Sequence, residues 1–238
     1  MVKFSIITVV YNGEAFIEST LRSIYDQTYN NFEHIVVDGN STDNTLAIVE
    51  KYKTNNMVVI SESDSGIYDA MNKGIDKAVG DYIIFINAGD SFANNHTLRD
   101  YSLVMDGENL FYGDSYRVYK DRRSYKKEIV DRFSITRHNI CHQSIFYPSR
   151  ILKEVKYDLN YPLFADWVTN IKIMSLIKFK HIEIPVCNFN MDGVSSTSDR
   201  FKDPKFIQDL PALTYKYLGF LPFVYVSTRF LIRRLCTI

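Results

Sequence analysis

Apolar and polar residues come in blocks along the first 90 positions. Phe4 to Val10 is a largely β-branched run with little alternation, its apolar residues interrupted only by Ser5 and Thr8, the pattern of a parallel strand covered on both faces. Tyr11-Asn12-Gly13 ends it, and between Glu14 and Gln27 the apolar residues Phe16, Ile17, Leu21 and Ile24 fall at helical spacing. A second strand spans Phe32 to Val37 and stops at Asp38-Gly39-Asn40. Ser41-Thr42-Asp43 then offers capping side chains to a helix of about ten residues ending near Lys53. Met57 to Ile60 predicts a third strand, Ile67 to Ala78 a helix stopped by Gly80, and Tyr82 to Ile86 a fourth strand. Strand and helix alternate three times, so right-handed βαβ crossovers and a mostly parallel sheet are expected.

The rhythm changes after Asp90. Leu110 to Tyr112, Ser115 to Tyr119 and Ser124 to Val130 are short strand-like segments, the last two joined by Asp121-Arg122-Arg123, which predicts antiparallel pairing. Ser144 to Tyr147, stopped by Pro148, reads as a further strand, Trp167 to Ile177 as a helix and His181 to Phe189 as extended chain. From about Pro204 the pattern is helical and increasingly aromatic. Residues 201–238 carry Lys202, Lys205, Lys216, Arg229, Arg233 and Arg234 against Asp203 and Asp209, a local balance of +4. Basic residues beside aromatics are an interfacial signature. Three readings of this tail stand: a membrane-surface contact, a dimer face, or packing on the core.

The composition removes other classes. Lys plus Arg and Asp plus Glu both number 28, so no global field draws the chain to nucleic acid. Cys141, Cys187 and Cys236 are far apart with no CxxC pair, which fits a reduced, cytoplasmic setting. The apolar N-terminus is short and lacks a small-residue cleavage site, so it reads as a first strand. No apolar run reaches the roughly 20 residues of a membrane span.

The four predicted strands all end in polar residues: Tyr11-Asn12, Asp38, Asp64, and Asn87 to Asp90. In open α/β sheets ligands bind beyond the carboxyl ends of the strands. A nucleotide suits that crevice, one carboxylate accepting from a base or ribose and another holding a divalent cation against phosphates. Turn and capping chemistry also places Asp and Asn after strands.

Four motifs occur in order: Ser5-Ile6-Ile7-Thr8-Val9-Val10-Tyr11-Asn12; Ile35 to Asp43; Asp64-Ser65-Gly66-Ile67-Tyr68-Asp69-Ala70-Met71-Asn72-Lys73-Gly74; and Gly80 to Asp90. Together they resemble family 2 glycosyltransferases, strongly over about the first 90 residues. The resemblance implies a GT-A fold, an α/β architecture with a mostly parallel central sheet flanked by helices, a small antiparallel portion and a C-terminal helical tail. It also implies a UDP-sugar donor, inversion at the anomeric centre and Mg2+ or Mn2+ as cofactor. One catalytic domain would span 1–200, with a nucleotide-binding half at 1–92, an acceptor half at 93–200 and the tail at 201–238.

Carried over by position, Thr8, Tyr11 and Asn12 border the nucleotide and Asp38 contacts uracil or ribose. Asn87 to Asp90 stands where the family has its DxD-type metal motif, with Asn87 for the leading Asp and Gly89 for a second, leaving Asp90 as the only carboxylate. Gly39 likewise replaces an Asp often found beside Asp38. Asp64, Asp69 and Asn72 fall near the donor diphosphate and sugar; the alternative is that Asp69 caps its helix and Asn72 packs beneath a loop. Asp166, in Phe164-Ala165-Asp166-Trp167, resembles the family's acidic motif and is the candidate general base; a plain helix cap is the other reading. His142 resembles a family segment preceding that motif and is assigned to the nucleotide-sugar site, with a structural role as the alternative. Trp167 either stacks on an acceptor sugar or packs in the core. The implied activity is transfer from a UDP-sugar to a lipid-linked saccharide in bacterial surface-polysaccharide assembly, at the inner face of the plasma membrane. A silent sugar-nucleotide-binding or scaffold protein of the same fold is the alternative. A nucleotidyltransferase is disfavoured because Val9 to Glu14 contains no Lys or Arg.

Overall fold

The computed structural model describes residues 1–191 and 203–235. The boundary expected at 200–201 and Cys236 lie outside the described residues. Four parallel strands form the first half: β1 (Phe4–Val10), β2 (Phe32–Asp38), β3 (Met57–Ser61) and β4 (Tyr82–Phe85), in the spatial order β3-β2-β1-β4. Helices α1 (Ile17–Tyr25), α2 (Thr45–Lys51) and α3 (Ile67–Lys77) make the crossovers. All seven residues of β1 are buried, as a central strand packed on both faces requires. Alternation divides its side chains: Ile7 and Val9 join Tyr68, Met71 and Ile75 of α3, while Phe4 and Ile6 join Ile24 of α1.

Beyond β4 the sheet continues through the second half as β8-β6-β9-β5. These are β5 (Ser91–Phe92), β6 (Leu110–Val118), β8 (Ile145–Pro148) and β9 (Phe179–Asn190), with α4 (Thr97–Ser102) after β5 and β7 (Arg123–Lys126) paired to β6 as an antiparallel hairpin. Strand β8 runs antiparallel to both β4 and β6, and β9 runs parallel to β6. The chain thus has the expected GT-A architecture, a parallel core extended by antiparallel strands.

Helices α5 (Ser149–Val155) and α6 (Ala165–Met174) follow β8 and cover the α3 side of the sheet. The tail forms α7 (Pro204–Leu218) and α8 (Phe220–Leu235). Helix α7 opens with Asp203 accepting from Phe206 N at 3.0 Å and with Pro204 in its first turn. Phe206, Leu210, Leu218 and Val226 are buried in the main core, and Phe206 lies 5.0 Å from the Trp167 ring. The opposite side leaves Tyr215, Phe220, Leu221 and Val224 exposed. Among the described residues no helix is long and apolar enough to cross a membrane.

Candidate active site

The loops after β1 and β2 are tied together by hydrogen bonds. Asn12 N donates to Ser41 Oγ at 2.8 Å, and Asn12 Oδ1 accepts from Thr42 N at 2.9 Å. Gly13 N donates to Thr45 Oγ1 and Glu14 N to Asp43 Oδ2. Asn12, at φ 47°, therefore braces the crevice wall, whereas Tyr11 beside it is 65% exposed. Thr8 sits inside the sheet, its hydroxyl donating to Ile86 O at 2.8 Å and lying 2.9 Å from His34 Nε2.

Asp38 is fully buried at the end of β2. Its Oδ2 accepts from Ser41 N at 3.0 Å and Ser61 Oγ at 2.7 Å, while Oδ1 has no partner. Buried polar atoms are nearly always paired, so this oxygen is an acceptor with spare capacity at the strand end. Gly39 next to it has a steric role: a Cβ there would lie 2.6 Å from Asp64 Oδ2 and 3.4 Å from Tyr11 Cβ. The Asp64 carboxylate, which also accepts from Gly66 N at 2.9 Å, closes over the space a side chain at 39 would need.

Asp69 Oδ2 accepts from Ser65 N at 2.9 Å and Ser65 Oγ at 3.1 Å. The backbone bond from Ser65 leads in holding its pKa below the usual carboxylate range, and the contact closes the first turn of α3. Asn72 spends both ends of its amide on Tyr157, donating to its carbonyl and accepting from its N–H, each at 2.9 Å. It thereby links α3 to the segment after α5.

Asn87 to Asp90 form a tight turn closed by Asp90 N donating to Asn87 O at 2.9 Å. Gly89 stands at its third position with φ +97°, a conformation that disfavours a side chain and accounts for Gly in place of a second acid. Thr20 of α1 fixes the turn, accepting from Gly89 N at 3.0 Å and donating to Asp90 O at 2.7 Å. Asp90 Oδ2 accepts from Gln143 Nε2 at 2.6 Å and Oδ1 from Asn190 N at 2.8 Å. Burial pushes its acid up to about 7, against these two bonds.

Asn87, His142 and Asp166 come together. Asn87 Nδ2 donates to His142 Nε2 at 3.0 Å, which places the ring proton on Nδ1, 3.8 Å from Asp166 Oδ2. Burial lowers His142 to about 4, so the ring is neutral. Asp166, in the first turn of α6, accepts at Oδ1 from Tyr68 OH and Trp167 N, both 2.8 Å, and at Oδ2 from Asn139 Nδ2, 2.8 Å. Burial raises its acid to about 6, and the donors oppose the shift. Trp167 is 5% exposed, packs on Phe164 and Phe206 and donates from Nε1 to Ile135 O, a core position.

Sequence reasoning missed Thr20, Tyr68, Asn139 and Asn190. Thr20 had a signal, a polar residue inside the apolar stripe of Ile17, Leu21 and Ile24. A cleft of about 270 Å³ opens beside the turn, lined by Gly89, Ser91, Val118, Tyr119, Lys120, Asn188 and Asn190.

The donor set suits a hard cation only in part. No group of three or more His, Cys, Asp or Glu side chains converges among the described residues. Asp90 brings one carboxylate and Asn87 a buried Oδ1 without a partner. Such a set fits Mg2+ or Mn2+ bound largely through substrate phosphates.

The parallel half-sheet ends in polar residues, and the second half of the chain brings the buried Asp166 carboxylate back beside them. The family model for Glycosyl transferase family 2 matches residues 5–166, ending on Asp166, and the chain belongs to that family and is a glycosyltransferase. It is 34% identical over 220 residues to the PGL/p-HBAD biosynthesis glycosyltransferase of Mycobacterium bovis, covering 89% of this chain and 85% of that one. Staphylococcus aureus TarS, a poly(ribitol-phosphate) beta-N-acetylglucosaminyltransferase, is 35% identical over 111 residues, 44% of this chain and 19% of TarS. Among solved structures, TarS 1–349 in complex with UDP-GlcNAc superposes with a TM-score of 0.74 at 20% identity, covering 90% of this chain and 67% of that one. The Pyrobaculum calidifontis mannosyltransferase PcManGT, in complex with GDP-Man and Mn2+, superposes at 0.63 with 19% identity, covering 95% and 73%. At these identities the superpositions establish the fold.

Proposed function

We propose that the protein is an inverting transferase that moves a sugar from a UDP-sugar to a lipid-linked saccharide in assembly of a bacterial surface polysaccharide. The observation that carries this reading is the placement of Asp166 beside His142 and Asn87, at the strand ends that also carry Asp38 and Asp90. TarS with UDP-GlcNAc supports a UDP-linked donor. Residues 1–200 act as one catalytic unit, 1–92 holding the donor and 93–200 the acceptor, with 201–238 as the tail.

Asp38 Oδ1 accepts from the base or ribose, Tyr11 and Asn12 border it, and Asp64 closes the floor over Gly39. Asp90 and Asn87 would hold Mg2+ or Mn2+, which supplies positive charge to the diphosphate oxygens. Asp166 takes the proton of the acceptor hydroxyl as that oxygen attacks the anomeric carbon and the bond to the diphosphate breaks. A carboxylate raised to about 6 is still ionised at neutral pH and is a stronger base than an ordinary one. His142, neutral and held by Asn87, lines the space between donor and base. The tail rests on the cytoplasmic face of the plasma membrane.

These roles are separable. Asp90→Ala is expected to abolish metal-dependent UDP binding, and Asp166→Asn to leave UDP binding intact while removing transfer, as read by calorimetry with Mn2+ and by product formation. Equal loss of UDP binding in both variants would refute the division.

A further inference from the structure

Asp166 is the first member of a longer chain of polar groups, buried except for the half-buried Asn139. Its Oδ2 accepts from Asn139 Nδ2 at 2.8 Å, Asn139 Oδ1 accepts from Asn170 Nδ2 at 2.8 Å, and Asn170 Oδ1 accepts from the Tyr147 hydroxyl at 2.9 Å. Asn170 lies four residues after Asp166 on the same face of α6, Tyr147 belongs to β8, and Asn139 precedes the short 3-10 turn His142–Ser144. Asn170 and Tyr147 are fully buried. Asn170 sits beside Val168, Ile171 and Ile173, where an apolar residue would pack without the cost of burying an amide.

The polarity of this chain is dictated by charge. An ionised carboxylate can only accept, so Asn139 must turn its NH2 to Asp166 and its carbonyl to Asn170. Asn170 must then offer its own NH2 inward, and Tyr147 must donate. Once Asp166 is protonated that constraint is gone, so the aligned chain favours the ionised form. Aligned bonds in a low-dielectric interior also strengthen one another.

We propose that Asn139 and Asn170, anchored by the Tyr147 hydroxyl, form an amide relay that orients the Asp166 carboxylate and holds it ionised. Both asparagines are positioning residues, and the proposal rests on the reading of Asp166 as the base. The other titratable groups facing Asp166 are Tyr68 from α3, Tyr147 from β8, Tyr157 from the segment after α5, and His142 at 3.8 Å. Burial raises the three tyrosines and lowers His142 to about 4, so all four are neutral near pH 7. No formal charge among them competes with the relay.

The test is titration of the Asp166 side-chain carboxyl by 13C NMR, assigned with Asp166→Asn, in the wild type, Tyr147→Phe and Asn139→Ala. It needs neither donor nor acceptor. Tyr147→Phe removes one oxygen and touches neither Asp166 nor Asn139. Both variants should titrate at higher pH than the wild type, by roughly half a unit to one unit, a threefold to tenfold change in the ionised fraction at low pH. Thermal melting and circular dichroism identify a variant that has merely unfolded; in that case Asn139→Asp, which places a second carboxylate beside Asp166, should raise the titration further. Unchanged titration in folded Tyr147→Phe and Asn139→Ala overturns the relay, even if Asp166→Asn is inactive. A shifted titration with an active Asp166→Asn would sink the base assignment and spare the electrostatics.

Discussion

Asp38 Oδ1 and Asn87 Oδ1 are buried acceptors without partners, Asp38 at the end of β2 and Asn87 just beyond β4, the two strands that flank β1. Other candidate atoms are taken by the protein itself: Asn12 by the loop after β2, Asp69 Oδ2 by Ser65 and Asn72 by Tyr157. His34, below the site, carries a pH signature. Thr8 Oγ1 donates to Ile86 O, so His34 Nε2 donates to Thr8 and Nδ1 is left facing Tyr25 OH at 3.3 Å. Burial lowers its pKa to about 3 from 6.5. The folded state therefore binds fewer protons than the unfolded one, and stability present above pH 6.5 is lost as pH falls towards 3. At pH 5 the loss is about 2 kcal/mol. Urea unfolding at pH 7 and pH 5 should show His34→Gln escaping that loss; an equal loss in both proteins would contradict the assignment.

At the scale of elements, the strands β1, β2 and β4 were legible because burial on both faces leaves an unbroken apolar run. Helix α1 begins at Ile17, and Phe16, counted with its apolar stripe, is 53% exposed ahead of it. Helix α2 is seven residues long, ending at Lys51. Leu110 to Tyr112 and Ser115 to Tyr119 read as two strands because Gly113 and Asp114 interrupt them; they form one strand, β6, with register shifts at those residues. The strand expected over Ser124 to Val130 ends at Lys126, since Glu128 turns inward to Ser115 and Lys126. Pro148 ends β8 and directly precedes α5, which is too short to show a period. The parallel pairing of β6 with β9 left no mark, because parallel partners far apart in sequence carry no turn signal between them. The same limit hid Asn139: its place beside Asp166 exists only once α6 has docked.

For the whole molecule, the tail divides between packing and exposure. Phe206, Leu210, Leu218 and Val226 fix it to the core, while Tyr215, Phe220, Leu221 and Val224 face outward beside Lys216. No Asp or Glu follows Asp209 in the sequence. A surface of this kind suits an anionic bilayer, with basic side chains at the headgroups and apolar ones at the acyl boundary. Flotation with vesicles containing phosphatidylglycerol should recover the protein, and vesicles of phosphatidylcholine alone should recover much less. Leu221→Ser together with Phe220→Ser should lower recovery; equal recovery on both lipids, or none, would count against the membrane role. The transfer reaction itself is most directly read by incubating the protein with Mn2+ and a panel of nucleotide sugars, with and without bacterial membrane lipid extract, while following nucleotide release. One UDP-sugar should be consumed, faster with the extract. If no donor is hydrolysed or transferred, and UDP does not raise the melting temperature, the account of a UDP-sugar transferase is contradicted.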